Sequence, residues 1–315
     1  MASGPSEAVL TVTPNPSIDV AASAEVITPE HKLRCAGLHR DPGGGGINVA
    51  RVLARLGADC LALFPAGGAL GTLLQQRLDE ESVPALALRI DGETRESFTV
   101  LERSSGREYR FVLPGPRLDE HEWQACLERV ASLLDAFVWV VASGSLPEGV
   151  PDDFYARLAR LVRSRGGRIA VDASGAALAA ALDEGVDLVK PNLRELRELT
   201  GRALGNEAEW TRAAEEIVRA GKARIVALSL GHRGALLVAE GERIRAPALD
   251  VEIASTVGAG DSFLAAMVWR LSGGAALEDS LQHAVAAGTA ALLAPGTSLA
   301  HRTDIVRLAP SVRTS

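Results

Sequence analysis

Ser255-Thr256-Val257-Gly258-Ala259-Gly260-Asp261-Ser262-Phe263-Leu264-Ala265-Ala266 is the stretch on which the reading of this chain turns. Small residues run into an acid, and an apolar helical pattern follows at once. Glycines at 258 and 260 allow a tight turn and a close backbone approach to a ligand, with no Cβ in the way. The peptide N–H groups of Gly258, Ala259, Gly260 and Asp261 then stand at the positive end of a helix, a ready anion site. Asp261 is out of place there, because its carboxylate repels the phosphate that such a hole should hold. Two readings account for it. Asp261 caps the helix, as Asp often does, or it takes a proton from a hydroxyl that attacks a phosphate. The stretch alone does not choose between them.

Around this stretch the chain alternates. Helical patterns over 119–134, 152–165 and 176–184 interleave with buried-type strands at Val138 to Ala142, Ile169 to Asp172 and Asp187 to Lys190. That is the pattern of a doubly wound, mostly parallel α/β sheet flanked by helices. Nearer the start, Ala8 to Thr13 forms a strand stopped by Pro14-Asn15-Pro16, and Asp19 lies just past its C-terminal end, where open parallel sheets bind ligands. A second strand (Leu61 to Phe64), a helix (Leu70 to Glu81) and a third strand (Ala85 to Ile90) follow. Helices over 258–271 and 277–293 close the chain.

Two segments, about 21–41 and 93–116, break the alternation. Val26 to Arg40 is polar, lacks helical periodicity and reads as extended strands or a projecting loop. Ser97 to Glu102 and Tyr109 to Leu113 form a hairpin across Ser104-Ser105-Gly106, with Arg95 at its entrance. Together they predict a small β-sheet that acts as a lid. Linkers, repeats and low-complexity tracts are missing from the sequence, so a single domain over 1–315 is expected.

Further motifs carry chemistry. Pro42-Gly43-Gly44-Gly45-Gly46-Ile47-Asn48 precedes the amphipathic helix Val49 to Leu56, which Gly57 stops. Four glycines imply close approach to a ligand or a second chain segment, or a hinge. The run is not GxGxxG after a strand, and no acid sits at the spacing a dinucleotide ribose needs, which disfavours an NAD-dependent oxidoreductase. In Lys190-Pro191-Asn192-Leu193-Arg194-Glu195, Asn192 and Glu195 share one helical face. They either hold part of the water shell of Mg²⁺ or form a capping box. The strand Ile225 to Leu230, the turn Gly231-His232-Arg233-Gly234 and the strand Ala235 to Val238 leave a glycine-rich gap that suits a purine or a phosphate.

Composition narrows the class. Lys+Arg 33 against Asp+Glu 40 gives a net charge of -7 with no basic run, so nucleic-acid binding lacks electrostatic support. No apolar run is long enough to cross a bilayer. Met1 to Glu7 has neither the basic nor the apolar region of a signal peptide. Cys35, Cys60 and Cys126 are odd in number, far apart and without metal spacing, and they read as reduced thiols of a cytoplasmic protein. The six histidines form no HxH or HExxH pattern.

Taken together and in this order, the glycine run at 43–48, Asn-x-x-Glu at 192–195 and Gly-Ala-Gly-Asp at 258–261 resemble the PfkB (ribokinase-like) carbohydrate kinase family, over roughly Leu10 to Ser298. His31-Lys32-Leu33-Arg34-Cys35, Phe64-Pro65-Ala66-Gly67-Gly68, Gly144-Ser145-Leu146-Pro147 and Leu188-Val189-Lys190-Pro191-Asn192 are similar to the bacterial branch that phosphorylates fructose 6-phosphate with ATP. Relatives acting on fructose 1-phosphate or tagatose 6-phosphate usually carry Lys in the third place of Gly-Gly-x-Gly-Ile-Asn. Here that place is Gly45, which favours fructose 6-phosphate.

The resemblance implies a role for each residue. Asp261 would be the general base toward the sugar's C1 hydroxyl, and Gly258, Ala259 and Gly260 the hole for the transferring phosphoryl group. Asp19, Gly44, Gly45, Asn48 and Ser145 would contact the sugar, with Lys32 and Arg95 reaching the 6-phosphate. Lys190, Asn192, Ser229, Gly231 and Gly234 would bind ATP. Asn192 and Glu195 would organise Mg²⁺. Backbone carbonyls of Ser255, Val257, Ala291, Ala294 and Gly296 would hold K⁺. A homodimer through the lid is also implied. The alternative from another class is a catalytically silent sugar-phosphate binder, which would not need Asp261, Asn192 and Glu195 intact.

Overall fold

The computed structural model describes residues 7–293 and 296–315. The chain enters the core on β1 (Val9–Val12) and leaves it for β2 (Ser17–Ala24) and β3 (Ala36–Gly43). It returns through α1 (Gly45–Leu56), β4 (Cys60–Ala66), α2 (Gly68–Glu80) and β5 (Ala85–Arg89). A second excursion makes β6 (Arg95–Glu102) and β7 (Arg107–Val112). Regular alternation follows through α3 (Glu120–Leu133), β8 (Trp139–Ser143), α4 (Phe154–Ser164), β9 (Arg168–Asp172), α5 (Gly175–Glu184) and β10 (Val186–Val189). Then come α6 (Leu193–Thr200), α7 (Glu207–Arg219), β11 (Ala223–Ser229), β12 (Ala235–Ala239) and β13 (Glu242–Ala246). The chain ends on α8 (Ala259–Ser272), α9 (Leu277–Leu292) and α10 (Arg302–Leu308).

Nine strands form the main sheet in the order β13-β12-β11-β10-β9-β8-β1-β4-β5. Strands β11 through β5 are parallel, and only β12 and β13 at one edge run antiparallel. A sheet covered on both faces needs strands that are apolar on both faces, and these are. Val9, Trp139 and Val141 pack toward α1, α8 and α9, while Leu10, Val12, Val140 and Ala142 pack toward α3, α4 and α5. Fully burying each such side chain contributes about 1.5–3 kcal/mol. The expected doubly wound architecture is the one observed.

The four remaining strands form the smaller sheet, in the order β3-β2-β6-β7. Ile18 and Val20 on one face pack against Ile47, Phe64, Leu74 and Leu78 of the main body. The side chains between them point the other way, as the two-residue period of a strand requires. This sheet begins at Ser17 and absorbs Asp19, which the sequence placed past a strand end rather than inside one. The Pro-Asn-Pro break at 14–16 hides the restart of extended structure. Val26 to Arg40 divides into an irregular connection and the start of β3, because only the residues from Ala36 on pair with β2. Helices α7 and α10 and strand β13 carried no reading from the sequence.

Candidate active site

The C-terminal edge of the main sheet and the inward face of the smaller sheet enclose a cavity of about 430 Å³. Open parallel sheets bind ligands at this edge. A larger groove of about 1060 Å³ opens on the opposite edge, around Trp139, Arg168 and Arg243, and contains none of the residues singled out above. Most of the residues singled out above gather at the smaller cavity.

Asp261 is not the cap of its helix. Gly258 is the N-cap of α8, with φ 74° in the left-handed region, and α8 has no side-chain cap. A Cβ at Gly258 would also collide with Leu299. Asp261 therefore stands third in the first turn, and its Oδ2 accepts a hydrogen bond from Asn48 Nδ2 at 2.9 Å. It lines the cavity. Burial pushes its pKa up, while the Asn48 hydrogen bond and the Lys190 charge pull it down and the Asp19 charge adds to the rise. A carboxylate with one oxygen held by an amide and raised basicity is suited to accept a proton.

Lys190 and Asp172 sit behind it. Lys190 Nζ is 3.1 Å from Asp172 Oδ2, and Lys190 is only 5% exposed. A Cβ on Gly260 would lie 3.4 Å from that ammonium, so Lys190 stands under the first turn of α8. Its charge and the peptide N–H groups of 258–261 act on the same place. Burial alone would lower the Lys190 pKa, but Asp172, Asp261 and Glu195 outweigh it and raise it. Asp172, by burial, is pushed up to about 6 despite the cation beside it.

The smaller sheet supplies the far wall. Asp19, Arg95, Ser97 and Arg110 line the cavity from neighbouring strands. Asp19 Oδ1 accepts from Ser17 Oγ at 2.7 Å. Burial raises the Asp19 pKa against the opposing effects of Ser17, Arg95 and Arg110. Arg95 donates to the carbonyls of Leu113 (3.1 Å) and Asn15 (3.2 Å), so its guanidinium is fixed in place. Arg110 has no such partner among the described residues. Gly44, Gly45, Asn48 and Ser145 complete the wall, and Ser145 Oγ accepts from Asn15 Nδ2 at 3.2 Å. Gly45 packs directly on Ser143, and a Cβ there would collide with Ser143 Oγ. Lys32 does not join the group. It lies on the exposed connection 25–35, which pairs with no strand, and it does not line the cavity.

The remaining predicted residues lie along the adjoining edge. Asn192 and Glu195 form a reciprocal capping box at α6: Glu195 N donates to Asn192 Oδ1, and Asn192 N donates to Glu195 Oε2, both at 2.9 Å. Glu195 also lines the cavity, while Asn192 bridges to Ser229 beside it. Gly231 and Gly234 bound the turn from β11 into β12, outside the cavity. Among the described residues no cluster of three or more His, Cys, Asp or Glu forms a metal cage. The donors fit Mg²⁺ in another way, because Glu195 Oε1 is free of the capping box and Mg²⁺ keeps several waters when substrate phosphates share it. Ala254 N and Ser255 N donate to Leu292 O at 2.8 and 3.4 Å, which sets Ser255, and Val257 after it, beside the last turn of α9 where Ala291 lies. Gly296 follows α9, and Ala294 lies outside the described residues.

Sequence reasoning missed Arg110, Asp172 and Ser143. Alternation along β7 puts Arg110 on the face of Asp19, and an acid closing a buried strand marks Asp172, so both signals were present.

The model of the pfkB family carbohydrate kinases matches residues 13–304. The ATP-dependent 6-phosphofructokinase isozyme 2 of Mycobacterium tuberculosis (strain CDC 1551 / Oshkosh) is 43% identical over 299 residues, 95% of this chain and 88% of that protein. The isozyme of the same name from Escherichia coli (strain K12) is 43% identical over 301 residues, 95% of this chain and 97% of its own length. The crystal structure of phosphofructokinase-2 from Escherichia coli in complex with fructose-6-phosphate superposes with a TM-score of 0.91 at 41% identity, covering 97% of this chain and 99% of that one. With a family model spanning nearly the whole chain and relatives of this identity, the chain belongs to the pfkB family of carbohydrate kinases.

Proposed function

We propose that this kinase transfers the γ-phosphoryl group of ATP to the C1 hydroxyl of fructose 6-phosphate, giving fructose 1,6-bisphosphate and ADP. The observation that carries the reading is Asp261. It is a cavity-facing carboxylate of raised pKa, third in the helix whose N-terminus forms the anion hole, with Lys190 beneath and two arginines opposite.

Asp261 takes the proton of the C1 hydroxyl as its oxygen attacks phosphorus. Gly258, Ala259 and Gly260 direct peptide N–H groups at the transferring oxygens, and Lys190 adds a full positive charge. Most of the catalysis of phosphoryl transfer comes from such positioning and charge stabilisation. Asp19, Asn48, Gly44, Gly45 and Ser145 hold the sugar hydroxyls, and Arg95 and Arg110 hold the 6-phosphate. Gly45, where the fructose 1-phosphate and tagatose 6-phosphate relatives usually carry lysine, lies against the Ser143 hydroxyl and supports fructose 6-phosphate.

Asn192, Ser229, Gly231 and Gly234 lie where the nucleotide would run along the adjoining edge. Glu195 would hold a water-rich Mg²⁺, whose charge offsets that of the phosphates. Backbone carbonyls of Ser255, Val257, Ala291 and Gly296 would hold K⁺. The smaller sheet is the lid and carries the dimer interface. Among the described residues, six of the nine exposed large apolar side chains lie on it or its connections: Val26, Leu33, Leu38, Phe111, Val112 and Leu113. No described helix is long and apolar enough to cross a membrane, and a cytoplasmic location fits the reduced cysteines.

The test is a coupled assay of ADP release with MgATP, comparing fructose 6-phosphate, fructose 1-phosphate and tagatose 6-phosphate. A kcat/KM advantage for fructose 6-phosphate is expected. An advantage for either of the others would move the phosphate away from Arg95 and Arg110. No turnover with any of them would leave a silent binder.

A further inference from the structure

Helix α1 carries a buried charge that no step of the reaction uses. Asn48, Arg51 and Arg55 follow one another three and four residues apart and so form one polar stripe on an otherwise apolar helix. Arg51 is 2% exposed. A guanidinium so deeply buried is tolerated only with its donors satisfied. Here Nε and Nη2 grip the two carboxylate oxygens of Glu81, at the end of α2, in a fork. Nη1 donates to Pro42 O at 2.9 Å and to Asn48 Oδ1 at 3.4 Å.

This contact has a consequence for Asp261. Arginine has donors only, so Asn48 must turn its carbonyl oxygen toward Arg51. Its amide N–H is then aimed at Asp261 Oδ2, 2.9 Å away. With the amide reversed, NH₂ would face a cation and the carbonyl oxygen a carboxylate, two repulsive contacts in place of two attractive ones. The Pro42 carbonyl fixes the same guanidinium to the chain just before the glycine run. We infer that Arg51, held by Glu81, is a positioning residue that sets the orientation of Asn48 and, through it, of the Asp261 carboxylate. The inference rests on the reading of Asp261 as the base.

Arg55 provides the control. It lies on the same helix and binds the same Glu81 oxygen, at 3.2 Å, but its other contacts are to Leu299 O and Ala300 O, and it does not touch Asn48. Arg51→Lys, Arg55→Lys and Asp261→Asn are compared for unfolding midpoint, kcat, and KM for MgATP and fructose 6-phosphate. Both lysine variants lose stability. Arg51→Lys alone loses kcat, by about 10- to 100-fold, the scale of a misplacement approaching 1 Å. Its KM for MgATP stays within about threefold while its KM for fructose 6-phosphate rises, because the displaced Asn48 also faces the sugar, a split that loss of packing alone would not produce. Equal kcat in the two lysine variants, with Asp261→Asn inactive, overturns the positioning role and leaves the base in place. Turnover by Asp261→Asn overturns both. Should Arg51→Lys fail to fold, Glu81→Gln carries the comparison, and a kcat no lower than that of Arg55→Lys overturns the inference.

Discussion

Lys190→Met tests how far the anion hole depends on one buried pair. Methionine nearly fills the space of the lysine stem but removes the ammonium 3.1 Å from Asp172. Asp172 then faces Asp261 and Glu195 with no cation beside it, and it keeps its proton rather than a lone buried charge. The folded protein holds the Asp172 pKa above its ordinary 3.8, so folding binds the proton. The associated stability is present at acid pH and is lost as pH rises. With Lys190 in place the loss accumulates from about pH 4 and ends near pH 6, where Asp172 titrates, a total of about 3 kcal/mol at ~1.4 kcal/mol per pH unit. Without Lys190 the carboxyl titrates higher, and the loss continues at ~1.4 kcal/mol per pH unit above pH 6 for as long as the proton stays on. The penalty of the variant relative to wild type should therefore grow between pH 6 and pH 8, by up to about 3 kcal/mol. Urea unfolding at pH 6, 7 and 8, at constant ionic strength, reads this directly. An equal penalty at pH 6 and pH 8 would refute the reasoning, since it would make the lysine's contribution one of packing alone.

Arg110→Ala removes the cavity cation that has no described partner. A charge-assisted hydrogen bond of about 1.5–3 kcal/mol corresponds to a rise of about 10- to 100-fold in KM for fructose 6-phosphate, with KM for ATP unchanged. An unaltered fructose 6-phosphate KM would take Arg110 off the phosphate. Glu195→Gln should raise the Mg²⁺ concentration for half-maximal rate by about tenfold or more, while thermal stability changes little because Gln also completes a capping box. An unchanged Mg²⁺ titration would reduce Glu195 to a helix cap. Phe111→Asp should convert a dimer to a monomer in sedimentation velocity, and an unchanged species would move the interface off the smaller sheet.

Much of this was legible because the fold writes itself in local patterns. Buried parallel strands are short apolar runs, and the helices between them carry a 3.6-residue period, so the sheet from β1 to β11 could be read without contacts. From its own stretch Asp261 could be found but not interpreted, and only the resemblance gave it a role. Whether it caps the helix depends on the φ of Gly258 and on Asn48, a residue 213 positions away. The smaller sheet was legible as extended structure only, because its pairing of β2 with β6 crosses over seventy residues and its polar strands resemble loops. Asp172 and Arg51 escaped notice for a related reason. One looks like the end of a strand and the other like the polar face of an amphipathic helix, and only the tertiary structure shows each to be a buried, paired charge. Lys32 was named by a motif match, and within one chain it stands on the exposed connection 25–35, away from the cavity.

The most direct test of the account is the turnover of Asp261→Asn with MgATP and fructose 6-phosphate, measured beside wild type by ADP release. Asparagine keeps the shape and a hydrogen-bonding oxygen for Asn48 but cannot accept the proton. The account predicts a kcat lower by about 10²- to 10⁴-fold, the usual contribution of a general base, with KM for ATP nearly unchanged. A kcat within about tenfold of wild type would contradict it, and would mean that the C1 hydroxyl loses its proton elsewhere.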